Sequence, residues 1–556
     1  MILSALVKRY EDAADVPLGW EMLGFTHALD IGADGSLKGV ISQITIEEKK
    51  EKRSELPLPI QPPGRGTGIK PSFLCENGGY LFGLDEKKGA AKYDSIRDLH
   101  LSVLADYGGD AAGAIKSFFA PKRPRDITKF LDAETAAKSI FAFMVNGRIV
   151  DHACVEARDA WNDYYSSTDE GGEMIRCLVT GKRDVAESLH KSIKIMGGAV
   201  STSFVNMNQE SFASYGKTSK DRAAEIGKYA AFAYTTALNA LLKDKGHRRF
   251  IGGDTLVYWA EKGGEAEESL FLNMYEPPKA DEDGILDDAM KRFARGERLE
   301  GYDFERKFHI LCLSPNAARI SVRFYLEDTF GRIVGNIKEH YDRLEIAGDY
   351  SKSYRYLPSW IILSETTVTN KASDANPLLS GQLIRAIMGG GDYPLTLYNA
   401  MLGRVKAGAD INRAKAAAIK ATLIKNFGEK EVATVALNEL SDNRPYVLGR
   451  LFSVLERLQE RANGSSSIRS RYFASACSNP STAFPTLLSL SVHHAEKLDN
   501  AVFFEKLKGE IISRLDSESP FPAALSLDDQ GRFIVGYYHQ TQSFFAKRER
   551  EDSNEQ

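Results

Sequence analysis

The residues of this 556-residue chain that could do covalent chemistry are a glycine-rich stretch, a few histidines, one carboxylate cluster and five cysteines. None stands in a catalytic spacing. Gly64-Arg65-Gly66-Thr67-Gly68-Ile69-Lys70 resembles a phosphate loop, but Pro71 follows the lysine where such a loop needs a hydroxyl residue for magnesium and a helix start. His493 and His494 are adjacent, so on a helix they point about 100° apart and cannot share a metal as an i, i+4 pair can. His539 has no carboxylate or second ligand close by in sequence, and Asp281-Glu282-Asp283 falls between expected elements, as a solvated loop would. HExxH, GxSxG and His-Asp signatures are all missing. Cys75, Cys154, Cys177, Cys312 and Cys477 include no CxxC pair, which argues against a disulfide framework or a zinc knuckle. No nucleophile, base and orienter come together, so a binding role without metal or cofactor is expected, and the chain is not expected to be an enzyme.

Binding chemistry has better candidates. In Gly68–Tyr80, Lys70 can neutralise a phosphate and Asn77 can hydrogen-bond a base edge, while the glycines let backbone approach a duplex. The plainer alternative is a hairpin turn at Glu76-Asn77-Gly78. A second stretch offers Phe204, Asn206, Asn208 and Gln209, then Phe212, Tyr215 and Lys217. Amides suit adenine and aromatic rings can stack on or wedge between bases, although a polar loop leading into a helix would look the same. Basic side chains recur on expected helices further on. Arg413 and Lys420, seven residues apart, lie about 20° apart around a helix, on a segment that also carries Arg404, Lys406, Lys415 and Lys425. Arg450, Arg457 and Arg461 lie opposite a leucine stripe, and Arg469 and Arg471 follow. Such faces can track phosphates without reading sequence, or can be ordinary solvated surface.

The elements that must position these residues divide into two styles. The N-terminal part mixes strands and helices. Ala33-Asp34-Gly35 marks a hairpin, while Pro57, Pro59, Pro62, Pro63, Gly64, Gly66 and Gly68 mark a loop that excludes both helix and ladder. From Ala133 to about Arg183 the pattern predicts helix, with Phe141, Val145, Val155 and Trp161 as buried anchors. A strand over Ala199–Phe204, a helix over Arg222–Leu242, a buried strand over Thr255–Trp259 and paired strands over Phe308–Leu313 and Arg319–Tyr325 follow. After about Asn376 the signals are helical. A helix over Arg444–Ala462 has Asn443 as cap, Gly464 as stop and Leu448, Leu451, Phe452, Leu455 and Leu458 as its apolar stripe. Others are expected near Ser481–Leu498, Val502–Leu515 and Asp528–Lys547, the last opened by a Ser526/Asp529 capping box. The expected class is α+β: a mixed α/β domain over 1–375 with antiparallel strands, then a helical bundle over 376–556.

Formal net charge is −4, with acids gathered at Glu265–Glu268 and Asp281–Asp288, so total charge does not decide for or against nucleic acid. No apolar run approaches the roughly 18 residues of a membrane span, and the N-terminus lacks a signal-peptide pattern, so a cytoplasmic location is expected.

Six segments, in order along almost the whole chain, resemble the large subunit of the type I-C CRISPR Cascade complex. They are Gly68–Pro71 with Phe73–Asn77; Ser203–Asn206 with Ser214–Lys217; Gly253–Ala260; Leu313–Phe324; Tyr446–Phe452; and Phe533–Gln540. The resemblance implies a non-catalytic protein that joins crRNA, the repeated backbone subunits and the subunit holding the crRNA 5′ end. It implies recognition of a protospacer-adjacent motif in double-stranded DNA, promotion of R-loop formation, and recruitment of a separate nuclease-helicase, with guide pairing reading the rest of the target. On this basis Lys70, Asn77, Asn206, Asn208 and Gln209 become the motif readers, with Phe73 or Phe204 as a wedge. The family's second loop opens Ser-Phe-Asn, whereas Val205 here separates Phe204 from Asn206. The resemblance also implies that the helical region, which would contact displaced or target DNA, can be made separately as a small subunit; Met401 is the last methionine, so the shorter product would start there or at a non-methionine start codon. Two alternatives are a metal-dependent nuclease using the acidic cluster and His539, and a purely structural assembly protein.

Overall fold

The structure, a computed structural model, describes the chain apart from residues 14–15, 48–49, 63–67, 168–171, 199–201, 206–210, 212–223, 280–284, 296, 298–299, 318, 349–353, 466, 500 and 553–556; at 50, 285, 294 and 546–552 it describes backbone only. The class is α+β, sheet-rich in the N-terminal half and helical in the C-terminal half. Packing divides the chain into two compact units, one of residues 1–194, 198–240 and 317–319, the other of 195–197, 241–316 and 320–556. The division expected after residue 375 therefore falls inside the second unit. Its cause is a shared core: Tyr258, Phe308, Phe330, Leu383, Tyr398, Leu451 and Phe533 belong to one buried cluster.

The first unit contains β1 (Trp20–Phe25), β2 (His27–Ile31), β3 (Leu37–Ser42), β4 (Ile44–Glu47), β5 (Lys50–Pro59), β6 (Cys75–Asn77), β7 (Ile140–Val145), β8 (Arg148–Ile149), β9 (Met174–Arg176) and β10 (Arg183–Val185). One sheet runs β3-β2-β7-β6 with β8 on β7, and β2 lies parallel to β7. Here the sequence expectation fails in an instructive way. Phe141 and Val145, read as helical anchors, lie in β7, because a spacing of four puts side chains on one face of a strand as well as of a helix. Phe141, Phe143 and Val145 pack with Leu29, Ile31, Ile96, Phe118 and Trp161, while Ala142 faces Phe25, Leu58 and Cys75 on the other side. Helices Gly89–Val103, Asp110–Phe119 and Val155–Ser167 supply the covering layer; Val155, another expected anchor, starts its helix 53% exposed.

The expected hairpin joins β2 and β3. Asp34 Oδ1 accepts the Ser36 N–H (3.0 Å), and Gly35 takes φ 72° where a side chain would overlap the Ser117–Phe118 backbone. Pro57 and Pro59, expected in a loop, instead sit in β5 opposite Met22 and Trp20 of β1. Pairing of β5 with β4 stops at Arg53, so no second ladder exists there for a proline to break.

In the second unit β11 (Arg248–Ile251), β12 (Asp254–Ala260), β13 (Lys307–Asn316) and β14 (Arg319–Thr329) form a sheet in that order. Leu256, Tyr258, Ala260, Phe308, Ile310 and Cys312 enter the core on alternate positions. Helices Phe330–Leu344, Pro377–Gly389, Leu395–Lys406, Arg413–Phe427, Arg444–Asn463, Pro480–Ala495, Ala501–Ile512 and Leu527–Asp552 build most of the rest. Asn443 caps Arg444–Asn463 by accepting the Tyr446 N–H (3.2 Å), and Gly464 ends it at φ 73°. Ser526 accepts the Asp529 N–H (3.3 Å) before the last helix, as expected.

Candidate nucleic-acid interface

The segment that holds Lys70 and Asn77 is fixed from below. Glu76 is buried, and its two carboxylate oxygens accept the N–H groups of Ser72 (3.0 Å) and Asn77 (2.8 Å). Leu74 adopts φ 62°, a left-handed conformation that costs a branched side chain energy and needs support. That support is His100, whose Nε2 accepts the Leu74 N–H (3.0 Å) while Nδ1–H donates to the Ile96 carbonyl (2.8 Å). An amide can only donate and a carbonyl only accept, so the tautomer is determined. Burial of the ring, which is 0% exposed, pulls its pKa down to about 4. Phe73 is likewise 0% exposed and stacks on Trp161, with ring centroids 5.6 Å apart. Its ring is part of the core, so in this structure it presents no wedge.

Asn77 ends β6 and caps the short helix Gly78–Leu81, so the segment is neither an open loop nor a hairpin turn. Its Oδ1 accepts the Tyr80 N–H (3.3 Å), and its amide nitrogen makes no hydrogen bond among the described residues. Gly78 lies so close to the Ala136 carbonyl that a Cβ would overlap it, which locks this helix to Ala133–Lys138. Half-buried Lys70 donates its backbone N–H to Tyr80 Oη (3.1 Å).

Beside this segment lies a cationic rim that sequence reading missed. Lys92 Nζ sits over the Tyr80 ring, 5.1 Å from its centroid, and pairs with Asp85 (2.6 Å). The other Asp85 oxygen accepts the backbone N–H groups of Lys87 (3.0 Å) and Lys88 (2.8 Å). The Lys92 hydrogen bond first, then those two amides, hold the Asp85 carboxyl down at about 2. Tyr93 Oη donates to the Pro121 and Arg123 carbonyls (3.1 and 3.2 Å), and the Pro124 ring packs beside Gly83, itself against Gly89. The Pro121–Arg125 loop is thereby held next to the first turn of Gly89–Val103. Lys87, Lys88, Lys122 and Arg123 are all exposed, and none forms an ion pair with a described residue. The available signal was the dense run Pro121-Lys122-Arg123-Pro124-Arg125.

Residues 5–545 match a family model described as CRISPR-associated protein (Cas_Csd1). The chain belongs to the Cas_Csd1 family. No curated protein matches it. Membership supports a Cascade-type subunit that works with crRNA and other CRISPR-associated proteins.

The other expected contact residues of this Cas_Csd1 member are dispersed. Phe204 is half-buried, 6.2 Å from the Tyr234 ring; Asn206, Asn208, Gln209 and Lys217 lie outside the described residues. Lys420, 1% exposed, donates to the Glu345 and Thr434 carbonyls (2.5 and 3.5 Å), and burial lowers its pKa to about 8. Arg450, 3% exposed, donates to Gln540 Oε1 (3.2 Å) and to the Asn438 and Glu439 carbonyls (3.3 and 3.0 Å). Both cations are consumed inside the fold, contrary to the surface role expected. Arg413 donates to the Tyr354 and Arg355 carbonyls, Arg469 holds Ala409 and Asp410, and Arg457 pairs with Glu460. Arg404 is half-buried. Arg461 and Arg471 are exposed and make no ion pair with a described residue.

The residues of the nuclease alternative do not form a site among the described residues. His539 is buried and shares a hydrogen bond with Tyr446 Oη (2.9 Å); the acidic cluster at 281–283 lies outside them. No group of three or more histidine, cysteine or acidic side chains among the described residues could hold a metal, and no helix there is long and apolar enough to cross a membrane.

Proposed function

We propose that this chain is the large subunit of a type I-C Cascade complex, which recognises the protospacer-adjacent motif in double-stranded DNA through the Lys70–Asn77 segment. It promotes R-loop formation, recruits a separate nuclease-helicase and makes or breaks no covalent bond itself. One observation carries the reading: in a Cas_Csd1 member, a buried carboxylate and a buried imidazole hold rigid a segment that ends in Asn77, whose amide nitrogen has no described partner. Fixed backbone with an uncommitted donor is what direct readout of a base edge requires. The helical second unit would contribute sequence-independent backbone contact through Arg461 and Arg471.

The test is binding of the crRNA-loaded complex to duplex targets with systematically varied flanking bases. Asn77→Ser keeps a capping oxygen but removes the amide donor. It is expected to erase discrimination of about 1–3 kcal/mol at one flanking position. Unchanged discrimination would refute the assignment, and cleavage of labelled DNA or RNA by the purified chain with divalent metal would refute the non-catalytic role.

A further inference from the structure

We propose that Lys87, Lys88, Lys122 and Arg123 form a clamp for the phosphate backbone of double-stranded DNA, next to the base-reading segment. The proposal rests on the motif-reading assignment for the identity of the duplex, and on the rim's own geometry for everything else. Segments 82–92 and 121–125 carry six cations against two carboxylates, Asp85 and Glu86. Asp85 is already committed to Lys92 and to two backbone amides, and Arg125 donates to the Ser117 carbonyl (3.1 Å), so Asp85 offsets little of the charge on Lys87, Lys88, Lys122 and Arg123. Those four side chains stand in solvent on two loops that Tyr93 and the Gly83/Pro124 contact hold together. A surface salt bridge would have neutralised such charges at little cost; here they are left facing water, where a polyanion can displace counterions.

The same geometry selects a duplex over a single strand. Proteins that hold single strands offer exposed aromatic faces for the bases. The one aromatic residue of these two segments, Phe82, is buried, and so is Tyr93 just beyond them. Charge without a stacking platform suits backbone contact alone. Continuity with the Asn77 segment runs through Tyr80, which accepts the Lys70 amide on its hydroxyl and carries Lys92 over its ring. A duplex read at Asn77 would lay its adjacent phosphates toward the rim.

The experiment compares full-length wild type with the quadruple variant K87A/K88A/K122A/R123A, each in the crRNA-loaded complex, binding duplex DNA over a salt series. The clamp predicts a shallower dependence of log K on log salt, by about 2–4 in slope at roughly 0.9 for each phosphate no longer neutralised. Affinity should fall equally for correct and altered flanking motifs, and the charge-keeping K87R/K88R/K122R/R123K variant should retain the wild-type slope. A quadruple variant with the wild-type slope, or one that loses only crRNA loading, overturns the clamp. Failure of the motif reading is separate: it shows as unchanged discrimination in Asn77→Ser while the quadruple variant still flattens the salt dependence.

Discussion

Gly449 and Gly536 face one another's helices reciprocally: a Cβ on Gly449 would overlap the Phe533 carbonyl, and one on Gly536 would overlap the Tyr446 carbonyl. Each glycine thus meets the carbonyl three residues ahead of the other, and helices Arg444–Asn463 and Leu527–Asp552 approach backbone to backbone. Tyr446–Phe452 and Phe533–Gln540, two of the segments that carry the family resemblance, are the two sides of this crossing.

Gly449→Ala or Gly536→Ala forces the helices apart, and the obstacle is backbone, which cannot rotate away as a side chain can. Each substitution should destabilise by about 1–3 kcal/mol or more, measured as a lowered denaturation midpoint. Gly403, in helix Leu395–Lys406, has nothing within 4 Å of a Cβ. Gly403→Ala should therefore be stabilising by about 0.5–1 kcal/mol from helix propensity alone. Equal effects at Gly449 and Gly403 would contradict the close crossing.

His100 ties the first unit to acid. Its folded pKa of about 4 lies below the ordinary imidazole value, so the unfolded chain takes up the proton first as pH falls. The stability contributed by the neutral ring is complete above about pH 6.5 and is lost between there and about 4, at roughly 1.4 kcal/mol per pH unit for one proton. Protonation also removes the acceptor for the Leu74 N–H. Hydrogen exchange at the Leu74 amide should accelerate across that window, corrected for intrinsic rate; protection unchanged down to pH 4 would contradict the assigned tautomer.

Buried Lys415 forms an ion pair with the partly buried Glu365, which Asn412 Nδ2 joins by donating to the second Glu365 oxygen (2.6 Å). Removing one partner leaves a charge without its counter-ion in the core. Lys415→Met should cost about 3–5 kcal/mol, and Lys415→Met with Glu365→Leu distinctly less. Chemical denaturation of the two variants decides it; a double variant as unstable as the single would show that the pair itself holds the fold.

The features legible in sequence were those with local causes. Asn443, Gly464 and the Ser526/Asp529 box mark helix ends because capping is settled within a few residues, and Asp34-Gly35 marks a turn for the same reason. Phe141 and Val145 mislead because a spacing of four is common to both periodicities, and only the parallel pairing with β2 selects the strand. The Lys70–Asn77 segment was legible as a candidate, but its support was not: Glu76 and His100 act through backbone amides, which leave no pattern in side-chain types. The rim escaped because two loops thirty-odd residues apart are brought together by Tyr93 and a proline, far from either loop's own sequence pattern.

The basic helix faces show the deeper limit, and they yield a contrast that can be measured. Periodicity identifies an apolar stripe but not how many neighbours a helix has. In Arg413–Phe427 every residue from Ala414 to Leu423 is buried, so Lys420 has no solvent face to occupy. Its folded pKa of about 8 lies below the ordinary lysine value, so the unfolded chain holds the proton longer as pH rises. The burial penalty is therefore full below about pH 8 and is relieved toward about 10.4. Lys420→Met should abolish a rise in stability with pH over that window. It should leave the salt dependence of DNA binding untouched, because the ammonium never meets a phosphate. Arg461→Ala with Arg471→Ala should do the reverse: no change in stability, and a salt slope shallower by about 1–2. A shallower slope in Lys420→Met, or an unchanged one in the arginine pair, would mean that the bundle meets nucleic acid through a face other than the one its exposed cations mark.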